Sequence, residues 1–346
     1  MSGYRHISIR PATLFRLLLL LGPLAVAAQG AQPTRQAPAD RSAGSAAAWQ
    51  VAAPDAANAW FDLLATLRVS GPAAFPLTAS PRPGVAADPG LARTLADTRE
   101  SEVLHFVPLY HPSGDRAAMA AALRIAAADA SAPEPRATLV VAALRRAMSA
   151  PLRQRALPAL ANALERVALP AADPRLLPTL QQSLDNEFLP ALAAWLSAER
   201  LDAGQLIIAA GIGPEGRLFA GTADRRDNIV AVGLFADDPD AEAPLLAFVR
   251  EVCYPAVTRA VQAERIDGPA ASVARRSGVA AVRCGASLLD ARLPARAERY
   301  RAFWLRQAGV RSAGADVAGA FHRAFPEDAA LAPHLERALR RVRNAP

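Results

Sequence analysis

The chain has 346 residues, of which 52% are hydrophobic and 21% charged, so it can bury a core and is not globally disordered. It contains no lysine: all 39 basic residues counted with Lys are Arg. That excludes a P-loop lysine, a Schiff-base lysine, a kinase strand lysine and a Ser-Lys dyad.

In chain order, the first 30 residues read as a secretory signal peptide. Arg5, Arg10 and Arg16 form a positive start, Leu17–Leu21 and Leu24–Ala28 an apolar run, and Ala25-Val26-Ala27 or Ala28-Gln29-Gly30 a small-residue cleavage site. The run is too short to span a bilayer, which takes about 20 apolar residues. The expected localisation is therefore export to the periplasm or beyond, with no transmembrane segment after cleavage. Loss of those three arginines lowers the formal charge from +7 to +4. The remaining arginines alternate with acids, as in Arg225-Arg226-Asp227, so no basic stripe for nucleic acid is expected.

Residues 31–54, rich in Ala, Pro, Gln, Ser and Gly, read as a flexible tether. A single globular domain is expected over 55–346. Its first helix is capped by Asp55 and carries Trp60, Leu63, Leu64 and Leu67 at i, i+3, i+4, i+7. Asp88-Pro89 opens the next. The run Val103–Tyr110 fits a short strand or a buried helix equally. Helices follow near 115–129, 136–149, 155–167 and 174–199, with Pro158 in a first turn and Pro133, Pro151 and Pro170 as punctuation.

The pattern changes at about 204. Three β-prone runs, Gln205–Ala210, Arg217–Thr222 and Asn228–Ala236, read as an antiparallel meander. Gly211, Gly213 and Gly216 lie between strands, as hairpin glycines do, and open no helix that could hold a phosphate. Helices resume near 240–265, 269–290, 294–308, 313–324 and 327–343. The expected class is mainly α with a small antiparallel β meander, divided into a helical half (55–203) and a meander-plus-helix half (204–346).

Of the histidines, His6, His105, His111, His322 and His334, none forms an i, i+4 pair. No G-x-S-x-G elbow is present. Cys253 and Cys284 form an even pair. In an oxidising compartment that suggests a disulfide, against the plainer reading of two buried thiols. If helices 240–265 and 269–290 pair antiparallel, the two cysteines differ in height by roughly 6 Å, which leaves a bridge feasible.

The helix after the meander carries Arg250-Glu251-Val252-Cys253-Tyr254, with Pro255 next. A helix following an antiparallel edge strand is the layout of the zincin metallopeptidases, whose helix bears His-Glu-x-x-His. The order of elements resembles bacterial secreted zincin-like proteins of unknown function, over Ala59–Leu67, Val103–Pro112 and Gln205 to about Arg265. The resemblance implies a zincin-like fold. It places Glu251 at the general base, Arg250 and Tyr254 at the two zinc histidines, and Glu298 at the third ligand. Arg cannot ligate zinc and Tyr replaces His poorly. Pro255 removes the hydrogen bond to the carbonyl of Glu251, so a kink is expected there. The resemblance thus implies a catalytically inactive module without metal or cofactor, binding a protein or peptide ligand or serving a structural role. Two alternatives stay open: a hydrolase or metallopeptidase with a non-standard site, and a helical adaptor.

Overall fold

The computed structural model describes residues 49–69, 89–96, 99–110, 115–128, 135–169, 175–220, 228–236, 238–310 and 316–343. The expected signal peptide, most of the expected tether and His111 lie outside them. Helices dominate. They surround a four-stranded mixed sheet formed by β1 (Trp49–Ala52), β2 (Gly204–Ala209), β3 (Arg217–Phe219) and β4 (Asn228–Gly233). The strand order is β1-β2-β4-β3.

The sheet differs from the expected meander. The chain direction does reverse from β2 to β3 and again to β4. Yet β4 inserts between the other two, so it pairs parallel with β2 and antiparallel with β3. The stretch 210–216 is long enough to carry the chain past one strand position, which a two-residue hairpin is not. Residues 49–52, the end of the expected tether, form β1, parallel to β2. Trp49 anchors that strand, with its indole N–H donating to the carbonyl of Leu201 (3.1 Å) and its ring edge-on to Phe248.

Strand side chains alternate between two apolar cores. Leu206, Ile208, Val230 and Val232 enter one, and Ile207, Ala209, Ile229 and Ala231 the other. Both faces of β2 and β4 are thus covered, as expected of parallel strands. On the second face pack α1 (Asp55–Thr66), α4 (Arg116–Ala127), α5 (Pro135–Ala147) and α6 (Ala150–Arg166). Between α1 and α4 lie α2 (Pro89–Ala96), a 3-10 stretch (Arg99–Phe106) and α3 (Val107–Tyr110). The ambiguous run 103–110 is therefore helical. Pro54, not Asp55, is the N-cap of α1. Pro158 lies inside α6 rather than in its first turn, because that helix begins at Ala150 with Pro151 near its start.

The other core is built from α7 (Leu176–Ser183), a π turn (Leu184–Phe188), α8 (Leu189–Ala198), α9 (Ala243–Glu251), α10 (Tyr254–Ala263), α11 (Ala270–Arg292), α12 (Pro294–Gln307), α13 (Val317–Ala324) and α14 (Ala332–Arg343). The kink expected at Pro255 is a full break. The helix ends at Glu251, turns through Val252 and Cys253, and restarts at Tyr254. Trp195 of α8 closes the break, its indole N–H donating to the carbonyl of Val252 at 3.0 Å. Among the described residues no helix is long and apolar enough to cross a membrane.

Candidate functional site

The end of α9 places a charged cluster between the edge strand β3 and helix α11. Arg250 and Glu251, at its last two positions, are almost fully removed from solvent (0% and 1% of their side chains exposed). Burying such groups is strongly unfavourable unless their charges and hydrogen-bonding atoms find partners. The Arg250 guanidinium donates to Glu251 Oε1 at 2.5 Å and to the Tyr254 hydroxyl at 2.6 Å, and lies 3.2 Å from Glu215 Oε1. It also stacks on two rings, 4.8 Å from the centre of Tyr254 and 5.2 Å from that of Trp304. One planar cation therefore gathers two carboxylates, a phenol and an indole, which the fork-shaped guanidinium can do and an ammonium cannot.

Glu251 is also held from the sheet side. The backbone N–H of Gly216, just before β3, donates to its Oε1 at 3.1 Å. A side chain at 216 would put its Cβ 2.7 Å from the Ala231 carbonyl and 2.8 Å from Glu251 Cγ, so this close approach requires glycine. On α11, Gly278 faces the ends of the cluster's side chains more loosely. A Cβ there would lie 3.2 Å from Arg250 Nη2 and 3.3 Å from Glu215 Oε1.

A second buried arginine flanks the cluster. Arg217 opens β3, points its guanidinium over the Phe61 ring at 5.3 Å, and donates from Nη2 to His105 Nδ1 at 3.0 Å. Arginine can only donate, so this contact makes Nδ1 the acceptor. Burial lowers the Arg217 guanidinium to about 10, against the pull of Glu251 and Glu215.

The two carboxylates are both raised from their ordinary range. Burial is the main cause, opposed by Arg250. Arg250 itself is raised: burial lowers it, but Tyr254, Glu251 and Glu215 together outweigh burial. Arg217 also draws both carboxylates down, and the Gly216 N–H draws down Glu251, yet burial outweighs these pulls at each acid. The Tyr254 hydroxyl is raised as well, chiefly by burial.

Of the residues singled out in the sequence, Arg250, Glu251 and Tyr254 come together. Glu298 does not. On α12, Arg296 and Arg299 turn inward to Glu187, Glu242 and Asp240, and Ala297 and Tyr300 are buried, which leaves Glu298 on the exposed face. Cys253 and Cys284 are both buried free thiols, so no disulfide is formed. They meet all the same: burial first, and then a hydrogen bond with Cys284, raises the Cys253 thiol well above its usual value. Such buried thiols serve as core packing.

Glu215, Arg217 and His105 are site residues that the motif did not single out. The available signal was a charged pair, Glu215 and Arg217, astride a glycine at the start of a β-prone run.

The donor set does not fit zinc. A guanidinium and a phenol occupy the two positions that the motif gives to imidazoles, and the carboxylate between them is held by Arg250 and Gly216. Among the described residues no three His, Cys, Asp or Glu side chains are placed to hold a metal ion.

Beside the cluster opens a cavity of about 650 Å³, lined in part by Glu215, Gly278, Val279, Val282, Trp304 and Phe325. Its volume falls in the range of small-molecule sites. Glu215 is the one acid in its lining, and with 26% of its side chain exposed it links the buried cluster to the cavity.

The chain matches no known protein family, no characterised protein and no solved structure. Fold and site thus define it only as a mainly helical protein with a small mixed sheet and a buried arginine–glutamate cluster beside a cavity.

Proposed function

We propose that this protein is an exported, catalytically inactive relative of the zincins that works as a binding module. The observation that carries the reading is the Arg250 guanidinium, in contact at once with Glu251, Tyr254 and Glu215. Arg250 and Tyr254 take the two motif positions that the resemblance gives to zinc histidines, and they supply a guanidinium and a phenol there in place of metal ligands. Glu251 has no free role as a general base, because its carboxylate is paired and hydrogen-bonded.

Two further features support the reading. The antiparallel edge strand β3 lies beside the helix that bears the motif residues, although that helix follows the inner strand β4 and not the edge strand of the expected layout. The cavity next to Glu215 offers a ligand mostly apolar walls, the Glu215 carboxylate and the polar side chains of Ser272, Arg275 and Gln307. Export rests on the positive start, apolar run and small-residue cleavage site of the first 30 residues.

The test is metal content. Protein purified without chelators and dialysed is expected to hold less than about 0.1 zinc per chain, because the arginine and tyrosine offer no imidazole pair. Elemental analysis that finds about one zinc per chain, retained through dialysis, overturns the reading in favour of a metalloenzyme.

A further inference from the structure

A second small cavity, away from the motif helix, is lined by two helix faces with the same spacing. Ala256, Arg259, Ala260 and Ala263 of α10 stand at i, i+3, i+4, i+7, and so do His334, Arg337, Ala338 and Arg341 of α14. Residues so spaced share one side of a helix. Alanines make up half of the lining, and the longer basic side chains make up the rest. The volume is about 180 Å³, and the lining holds four basic side chains and no acid.

The contacts made by these four residues leave positive charge over. Arg259 pairs through Nη2 with Glu199 Oε1 at 2.5 Å, with 56% of its side chain exposed. Arg337 donates to His334 Nδ1 at 2.9 Å. His334 therefore keeps its proton on Nε2, which meets Glu264. Glu264, just past the end of α10, is thereby engaged by the histidine, and Arg337 receives no carboxylate from this chain of bonds. Arg341 is exposed and makes no hydrogen bond or ion pair to any described residue.

We infer that this groove between α10 and α14 binds a phosphate-type oxyanion, held by Arg337 and Arg341 with Arg259 on the opposite wall. Guanidinium forks match the oxygens of such an anion two at a time. The small volume suits a single phosphate group and not a nucleotide. Two sources share this chemistry, free inorganic phosphate and the phosphate of an anionic lipid headgroup.

The experiment uses the whole exported protein and the variant Arg337→Gln/Arg341→Gln. Both arginines are exposed, and an unchanged melting temperature in chloride verifies that the variant is folded. Inorganic phosphate is titrated against chloride at matched ionic strength while thermal unfolding is followed. In parallel, sedimentation with phosphatidylglycerol vesicles is compared with phosphatidylcholine vesicles. We expect a saturable rise in melting temperature with phosphate, and an apparent affinity about tenfold or more weaker in the variant. A response to phosphate alone assigns the site to the free anion. An additional response to phosphatidylglycerol vesicles, lost in the variant, assigns it to a headgroup. Either supports the inference. Stabilisation by phosphate no greater than by chloride, or equal in both proteins, overturns it.

Discussion

Replacing Arg250 with methionine is expected to lower the unfolding free energy by about 3–5 kcal/mol, measured by urea denaturation at neutral pH. Methionine fills much of the same volume, so the loss reports the missing cation more than a cavity. The loss is large because the partners stay behind. Glu251 would remain 1% exposed with only the Gly216 N–H and the more distant Arg217 to stabilise its charge. Tyr254 would lose the donor at 2.6 Å, and Trp304 the cation over its ring. A loss under about 1 kcal/mol, typical of an exposed ion pair, would mean that the cluster does not hold the end of α9 in place.

The second large effect is expected at Trp195. Trp195→Ala should cost about 3–5 kcal/mol, the usual range for truncating a fully buried tryptophan. Its indole is also the donor that satisfies the Val252 carbonyl at the break between α9 and α10. Trp195→Phe keeps most of the apolar area and removes that donor. It should therefore show the separate cost of an unpaired buried carbonyl, about 1–3 kcal/mol. If Trp195→Phe is as stable as the parent, the break is held by packing and Pro255 alone, and the tryptophan has no special part in positioning the cluster.

Much of the helical frame was legible in the sequence, because apolar periods and prolines are local signals. The stretch 294–308 became α12 (Pro294–Gln307), and 269–290 became α11 (Ala270–Arg292). Pro255 announced a disruption, and the break falls beside it.

The sheet was less legible. Nothing local in Asn228–Gly233 says that it slots between two earlier strands; that follows from burial on both faces, which only the assembled helices supply. Trp49–Ala52 reads as tether because four residues carry no period of their own, and they become a strand by docking on β2.

The site divides in the same way. Arg250, Glu251 and Tyr254 are neighbours on one segment and could be read together. Glu215, Arg217 and His105 join them from other segments, and Glu298 is turned away because its neighbours Arg296 and Arg299 are the ones that face inward. Spacing along a chain does not reveal which face of a distant helix will be covered.

The central claim is that an internal guanidinium, not a metal, neutralises Glu251 at the heart of the site. A double-mutant cycle of Arg250→Met and Glu251→Gln, read from urea unfolding curves of the three variants and the parent, addresses it directly. The account predicts that the double variant is more stable than the sum of the two single losses implies, by about 2–3 kcal/mol, because glutamine no longer carries the charge that the arginine neutralises. Losses that add to within about 0.5 kcal/mol would contradict it, since Arg250 and Glu251 would then be buried side by side without depending on one another.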